Sequence, residues 1–163
     1  MGSRGLEAER LESILAGFDT TMMVTNGTAG LHARPMHLIK RPSASLLYLV
    51  SGADSGKVAE LEADAEVLLA CQDARQFLVL RGRASLTRDR GLIEQLWSDA
   101  WRVWFPQGKY DPNICLIQVE PREGEYWDNS GARGLKYAFQ AAQAYASGKP
   151  PHPDSTQHGK VRM

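Results

Sequence analysis

Two cations and two hydroxyls mark one short stretch of this chain as a place where chemistry could occur. Arg34 lies in LHARPMHLIK, a run with strand character. Ser51, Ser55 and Lys57 lie in SGADSGK, a turn that leads into a helix. A guanidinium, an ammonium, hydroxyls and a helix start are the groups that hold a phosphate. SGADSGK is nevertheless not a P-loop. Gly52 to Gly56 is one residue too short, and Val58 stands where a magnesium-binding Ser or Thr is required. By itself the turn reads as a solvated loop with an ordinary surface lysine. Arg34, set among apolar neighbours on the preceding strand, brings an anion site level with that reading.

Other chemistries find less support. His32 and His37 are five apart on a strand and so point to opposite faces, while His152 and His158 lie near the C-terminus. No metal site is expected from them. Glu60, Glu62 and Asp64 read as the solvated face of a helix. There is no Gly-x-Ser-x-Gly elbow. Cys71 and Cys115 each sit in an apolar run and form no CxxC pair, which is the pattern of reduced core thiols. Trp97, Trp101, Trp104 and Phe105 are helix-spaced aromatics. They could pack on the core or on a second subunit, or one indole could wall an aromatic ligand. Trp127 is open to the same two readings.

The elements that must position these residues can be read from periodicity. Residues 5–18 carry Leu6, Leu11, Ile14, Leu15 and Phe18 at helical spacings. TTMMVT, followed by Asn26-Gly27 and Gly30, predicts a strand and a hairpin turn. The strand 31–40 alternates, with His32, Arg34, Met36 and Leu38 on one face. Pro35 cannot donate a ladder hydrogen bond, so this strand is expected at an edge, a bulge or an unpaired stretch. A turn at Arg41-Pro42-Ser43 leads into a buried strand at 45–51. Asp54 or Ser55 caps a helix through Ala63. Strands follow at 66–71 and 76–87, with Gly82 marking a bend or bulge. A helix is predicted over 88–104, a strand over 114–119 that Glu125-Tyr126-Trp127 could continue, and a last helix over 132–146. Residues 1–147 thus form one domain, and 148–163, with Pro150, Pro151 and Pro153, form a flexible tail. Strands joined by hairpins, without βαβ alternation, predict a small antiparallel barrel with peripheral helices.

Composition narrows the partners. The 163 residues carry 19 Lys plus Arg against 19 Asp plus Glu, a balance unlike the basic surfaces that bind nucleic acid or anionic membranes. The longest apolar run, LLYLV, is far shorter than a membrane helix, and no signal peptide opens the chain. A cytoplasmic protein is the default.

Taken together, MMVTNGTAGLHARPM at 22–36, the SxxxSxK turn, VLLAC, FLVLRGRASL, LWSDAWRVWFPQG and VEPREGEYWD resemble the pyridoxamine 5′-phosphate oxidase-like superfamily. Within it they are most similar to the general stress protein branch. The resemblance runs from about Leu11 to Lys149 and rests on the order and spacing of all these segments. It implies a six-stranded antiparallel split β-barrel that dimerises, with one FMN in each of two clefts lined by both chains. It implies that Arg34 contacts the FMN phosphate, that the backbone at Pro35 and Met36 faces the flavin, and that Ser51, Ser55 and Lys57 lie at the phosphate end. Trp127 would stand near the flavin, reaching the other subunit's cofactor. Departures speak against pyridoxamine phosphate itself as substrate. Gly56-Lys57 stands where the oxidases have Arg-Lys, Phe77 replaces a flavin-contacting glutamine, and DNSGARGLKYAF replaces the substrate-gripping Arg-Leu-His segment. The implied activity is that of an FMN-dependent oxidoreductase on an unidentified small molecule. The alternatives are a flavin-binding or storage module without turnover, or a split barrel holding haem or a deazaflavin.

Overall fold

The computed structural model describes residues 2–39, 45–150 and 157–163. Seven strands follow in the order β1 (Thr20–Gly27), β2 (Gly30–Ile39), β3 (Leu47–Gly52), β4 (Glu66–Gln72), β5 (Gln76–Thr87), β6 (Ile114–Asp128) and β7 (His158–Arg162). Four helices accompany them: α1 (Gly2–Ala16), α2 (Gly56–Ala63), α3 (Arg90–Leu96) and α4 (Gly131–Ser147). The sheet order is β3-β2-β1-β4-β5-β6-β7, and β3 also pairs with β6. That second pairing closes strands β1–β6 into a six-stranded antiparallel barrel, and β7 adds to the outer edge of β6. The expected mainly β split barrel is therefore the fold.

Alternation fills the barrel. Met23, Met36, Leu38, Leu49, Leu69, Leu78, Leu80, Ile117 and Val119 point inward, and Leu11 and Ile14 of α1 plug the cluster. A second cluster of Ile39, Tyr48, Ile93, Trp101, Phe105, Ile114 and Leu116 lies outside it. Between them these clusters place two of the four indoles: Trp101 is buried, and Trp97 packs against it edge to face at 5.5 Å.

Several sequence expectations change in detail. The hairpin closes with Gly27 opposite Gly30, so the Asn-Gly pair ends β1 and Thr28-Ala29 form the turn. The expected helix over 88–104 breaks at Trp97, whose backbone is extended at φ −52°, ψ 135°. Ser98 then caps a separate 3-10 turn, its hydroxyl accepting from the Ala100 N–H. Ser-Asp inside a helical run competes with the helix for its own backbone donors, which is why the run splits. The two predicted C-terminal strand pieces are one strand, β6, running through Pro121. The tail is not free throughout, because His158–Arg162 pairs with Glu123–Trp127. The turn predicted at Arg41-Pro42-Ser43 lies outside the described residues.

Gly82 is where the barrel must bend. The β5–β6 register shifts between Arg81 and Gly82, opposite Pro121. A Cβ at Gly82 would lie 2.4 Å from the Glu120 carbonyl oxygen, so only glycine lets the strands close here. Gly82→Ala should therefore cost about 1–3 kcal/mol, as overpacking typically does. Urea unfolding followed by circular dichroism measures it, and an unchanged midpoint would contradict the bulge assignment.

Candidate functional site

The cleft begins where β2 and β3 part. Their ladder consists of two pairs, Leu38 with Leu49 and Ile39 with Tyr48. On its other edge β3 pairs with β6 throughout, from Leu47–Val119 through Gly52–Ile114. Pro35 thus lies in the unpaired half of β2 on the side that faces β3, as its missing N–H requires. The gap encloses about 270 Å³. β2 lines it with Pro35, Met36 and His37, and β3 with Val50, Ser51 and Gly52. Lys57 enters from the first turn of α2, Asn113 from the loop before β6, and Trp104 and Phe105 from the 3-10 segment.

The turn that delivers Lys57 is tightly built. The Asn113 carbonyl accepts from Ala53 N–H at 2.7 Å, and its side-chain oxygen accepts from Asp54 N–H at 3.3 Å. A side chain at Gly52 would meet Asn113 Nδ2 and Asp54 Oδ1, both 2.9 Å from the Cβ position, so these two side chains pack closely over the turn. Ser55 is the N-cap of α2, yet its hydroxyl makes no capping bond. Instead Ser51 Oγ and Ser55 Oγ lie 2.9 Å apart. The first N–H groups of α2 are left without a side-chain cap, next to a lysine. Among the described residues Lys57 forms no ion pair. Burial, and then the nearby Arg34 guanidinium, push its pKa below the ordinary lysine value. A partly buried cation lowered by a second cation is a group that gains from an anion.

Arg34 is placed otherwise than expected. Its guanidinium pairs with Glu60 of α2 and donates to Thr25 Oγ1 at 2.5 Å, and Thr25 in turn donates to Glu60 Oε2. His32 Nδ1 lies 2.7 Å from Arg34 Nη2 and 3.0 Å from Glu60 Oε1. Arg34 therefore ties β2 and β1 to α2 and lies behind the cleft rather than among the residues that line it. Glu60, which the sequence alone presents as a solvated helix residue, is the partner that reading missed. The signal for it is its spacing: three residues after Lys57, it faces the same side of α2. Trp127 is also apart from the cleft in this chain. It stacks on His158 of β7 with ring centres 5.1 Å apart, and His158 meets Glu125 at 2.8 Å. The site residues brought together are thus Pro35, Met36, Ser51 and Lys57, with Ser55 touching Ser51. Trp104, from the aromatic cluster, joins them, and Asn113 joins them unannounced.

A larger cavity of about 660 Å³ lies between α1, β6 and β7. It is floored by Leu11, Leu15, Leu47 and Leu80 and lacks the turn-and-helix-start cluster. Among the described residues there is no His, Cys, Asp and Glu grouping able to hold a metal. No helix among them is long and apolar enough to cross a membrane.

The profile of the family described as pyridoxamine 5′-phosphate oxidase like matches residues 7–152. The chain belongs to that family. Among curated proteins none matches. Similar solved structures include a protein described as general stress protein 26 from Jannaschia sp. CCS1, 18% identical, with 98% of this chain and 99% of that one covered at a TM-score of 0.74. General stress protein 26 of Bacillus anthracis is 23% identical over 74% of this chain and 92% of that one, at 0.66. A general stress FMN/FAD binding protein from Xanthomonas citri is 23% identical over 79% of this chain and 92% of that one, at 0.67. These likenesses show the same fold.

The Arg34–Glu60 pair sets an acid limit. The Thr25 hydroxyl first, then His32 and Arg34, hold the Glu60 carboxyl at about 2, against an ordinary 4.5. With the folded value lowered, the stability that depends on ionised Glu60 is complete above pH 4.5 and is lost as pH falls toward about 2. Melting temperatures of Glu60→Gln should be lower than wild type at neutral pH, with the gap narrowing across that acid window. A constant gap would refute the linkage.

Proposed function

We propose that this protein is a cytoplasmic, homodimeric FMN-binding oxidoreductase of the general stress protein type. The observation that carries the reading is the cleft between β2 and β3. There an unpaired, partly buried Lys57, two facing hydroxyls and the uncapped start of α2 sit beside aromatic and apolar walls. That donor set fits a flat ligand with a terminal phosphate. The likeness in fold to a protein described as FMN/FAD binding supports the same ligand. Lys57 and the α2 N–H groups would hold the phosphate, Ser51 would add a hydroxyl, and Pro35 and Met36 would offer their backbone to the ring. When bound, the flavin supplies hydride transfer through N5, and the protein supplies binding, orientation and exclusion of water. Arg34, with its charge met by Glu60, sets the field around Lys57 and holds β2 against α2.

Two features support the dimer. At about 270 Å³ the cleft is just under the ~300–1,000 Å³ of ordinary ligand sites, as a half-site completed by a second chain would be. Helix α4, 17 residues long, has no buried residue. Ala132, Leu135, Phe139, Ala142 and Ala146 are spaced by three, four, three and four along it, an unpartnered seam. Leu135 is 77% and Phe139 64% exposed. Arg133 and Lys136 are the only charges on α4, and Arg133 is paired with Asp128, so the helix lacks the basic face of a membrane-surface helix.

Lys57→Ala should weaken FMN binding by about 1.5–3 kcal/mol, the worth of a hydrogen bond to a charged group. Arg34→Ala should weaken it less, because Glu60 already offsets that charge. Flavin titration by fluorescence tests both, and full affinity in Lys57→Ala would sink the assignment. As pH rises, affinity should fall before the ordinary lysine value of 10.5 is reached, because Lys57 loses its proton early. Light scattering at micromolar concentration should give a dimer for wild type and a monomer for the Leu135→Asp/Phe139→Asp double variant. A dimer in both would place the interface elsewhere.

A further inference from the structure

We propose that Trp104 is the wall against which the ring of the bound flavin lies. The inference rests on the flavin reading of the cleft and adds to it a residue that holds the ring rather than the phosphate. Three of the four tryptophans are committed elsewhere. Trp101 is 2% exposed in the second core cluster. Trp97 packs on it and donates its indole N–H to Asp99 at 3.1 Å. Trp127 stacks on His158 outside the cleft. Trp104 alone lines the cleft, and it is 63% exposed. Its indole makes no ring contact and no hydrogen bond among the described residues.

That exposure is not the looseness of a surface loop. Trp101 and Phe105, three residues before and one after, are both buried. The Trp101 carbonyl accepts from the Trp104 and Phe105 N–H groups, each at 2.9 Å. Gly108 then turns the chain back with φ +78°, a conformation glycine adopts without strain, and its N–H donates to the Phe105 carbonyl at 2.9 Å. The backbone under Trp104 is thus pinned on both sides while its ring stays uncovered along the cleft. A large aromatic surface held rigid but uncovered loses little entropy when a flat ring settles on it, and it gains the burial of both faces. An indole offers no positive charge to a phosphate, so its contribution should be blind to whether the flavin carries one.

This last property separates the two parts of the site. Wild type, Trp104→Ala, Trp104→Phe and Lys57→Ala would be titrated with FMN and with riboflavin, following flavin emission, with circular dichroism as the check on folding. Trp104→Ala should weaken FMN and riboflavin by the same factor, about tenfold to a hundredfold, the usual effect of removing one stacking ring. Trp104→Phe should recover most of that affinity but less of the emission quenching that a stacked indole causes. Lys57→Ala should weaken FMN and leave riboflavin unchanged. Wild-type affinity for both flavins in Trp104→Ala would overturn the wall while leaving the phosphate site standing. A wild-type protein that binds neither flavin would overturn the cleft reading and the wall together.

Discussion

The structure depends on a ladder that stops early. β2 and β3 exchange only two residue pairs, while the opposite edge of β3 follows β6 for six. Pairing with β6 satisfies one edge of β3, and beyond Tyr48 and Leu49 the edge that faces β2 is left open. The N-terminal half of β2 is left with one partner, β1, and Pro35 is tolerated there because no second ladder asks for its N–H. A barrel closed by continuous pairing would have no cleft. This one is closed by β3–β6, and the parting of β2 from β3 is the space into which Lys57, Ser51 and Trp104 project.

Holding that gap open requires an anchor across it, and the anchor is ionic. Arg34 and Glu60 are each mostly buried and share Thr25 as a common partner, so β1, β2 and α2 meet at three side chains. Neither charge is left uncompensated, which is the condition under which a partly buried pair is tolerable. The pairing also decides the character of the cleft. With Arg34 matched to Glu60, Lys57 is the cation whose charge is not balanced by a bonded carboxylate, and a ligand phosphate would complete what the protein leaves open. Gly56 adds no second cation beside Lys57, so this corner offers one ammonium and the uncapped backbone donors of α2.

Much of this was legible in the sequence. Alternation and turn residues located six strands, and Pro35 and Gly82 marked the unpaired stretch and the bulge. The failures have physical causes. The run 88–104 carries helical spacing, but Ser98 caps locally and splits it. The segment after Gly148 is poor in apolar residues, and β7 forms through backbone pairing with β6 and burial of Val161 rather than through a pattern of its own. Arg34 was legible as a charge on a strand, but not its partner, because the spacing that puts Glu60 on the Lys57 side of α2 does not say which residue 26 positions away it meets. Trp104 was one of three helix-spaced indoles open to the same two readings until packing committed Trp97 and Trp101.

The far end of β6 shows the same economy in reverse. Asp128 is fully buried, yet it receives Gln76 Nε2 at 3.2 Å, Ser130 N at 3.0 Å and Ser130 Oγ at 2.6 Å, and it pairs with Arg10 and Arg133. Its own N–H donates to the Gln157 carbonyl at 2.7 Å, which brings the returning chain back to the foot of α4. One residue thus fixes α1, β5, α4 and the approach to β7 at a single point. Beyond that point the seam of α4 stays uncovered. A rigid base under an uncovered apolar helix is costly unless something covers the helix, because exposed aromatic and aliphatic surface gains nothing in water. A second copy of the chain would supply that cover, and the same association could bring the second wall that a cleft of this size lacks.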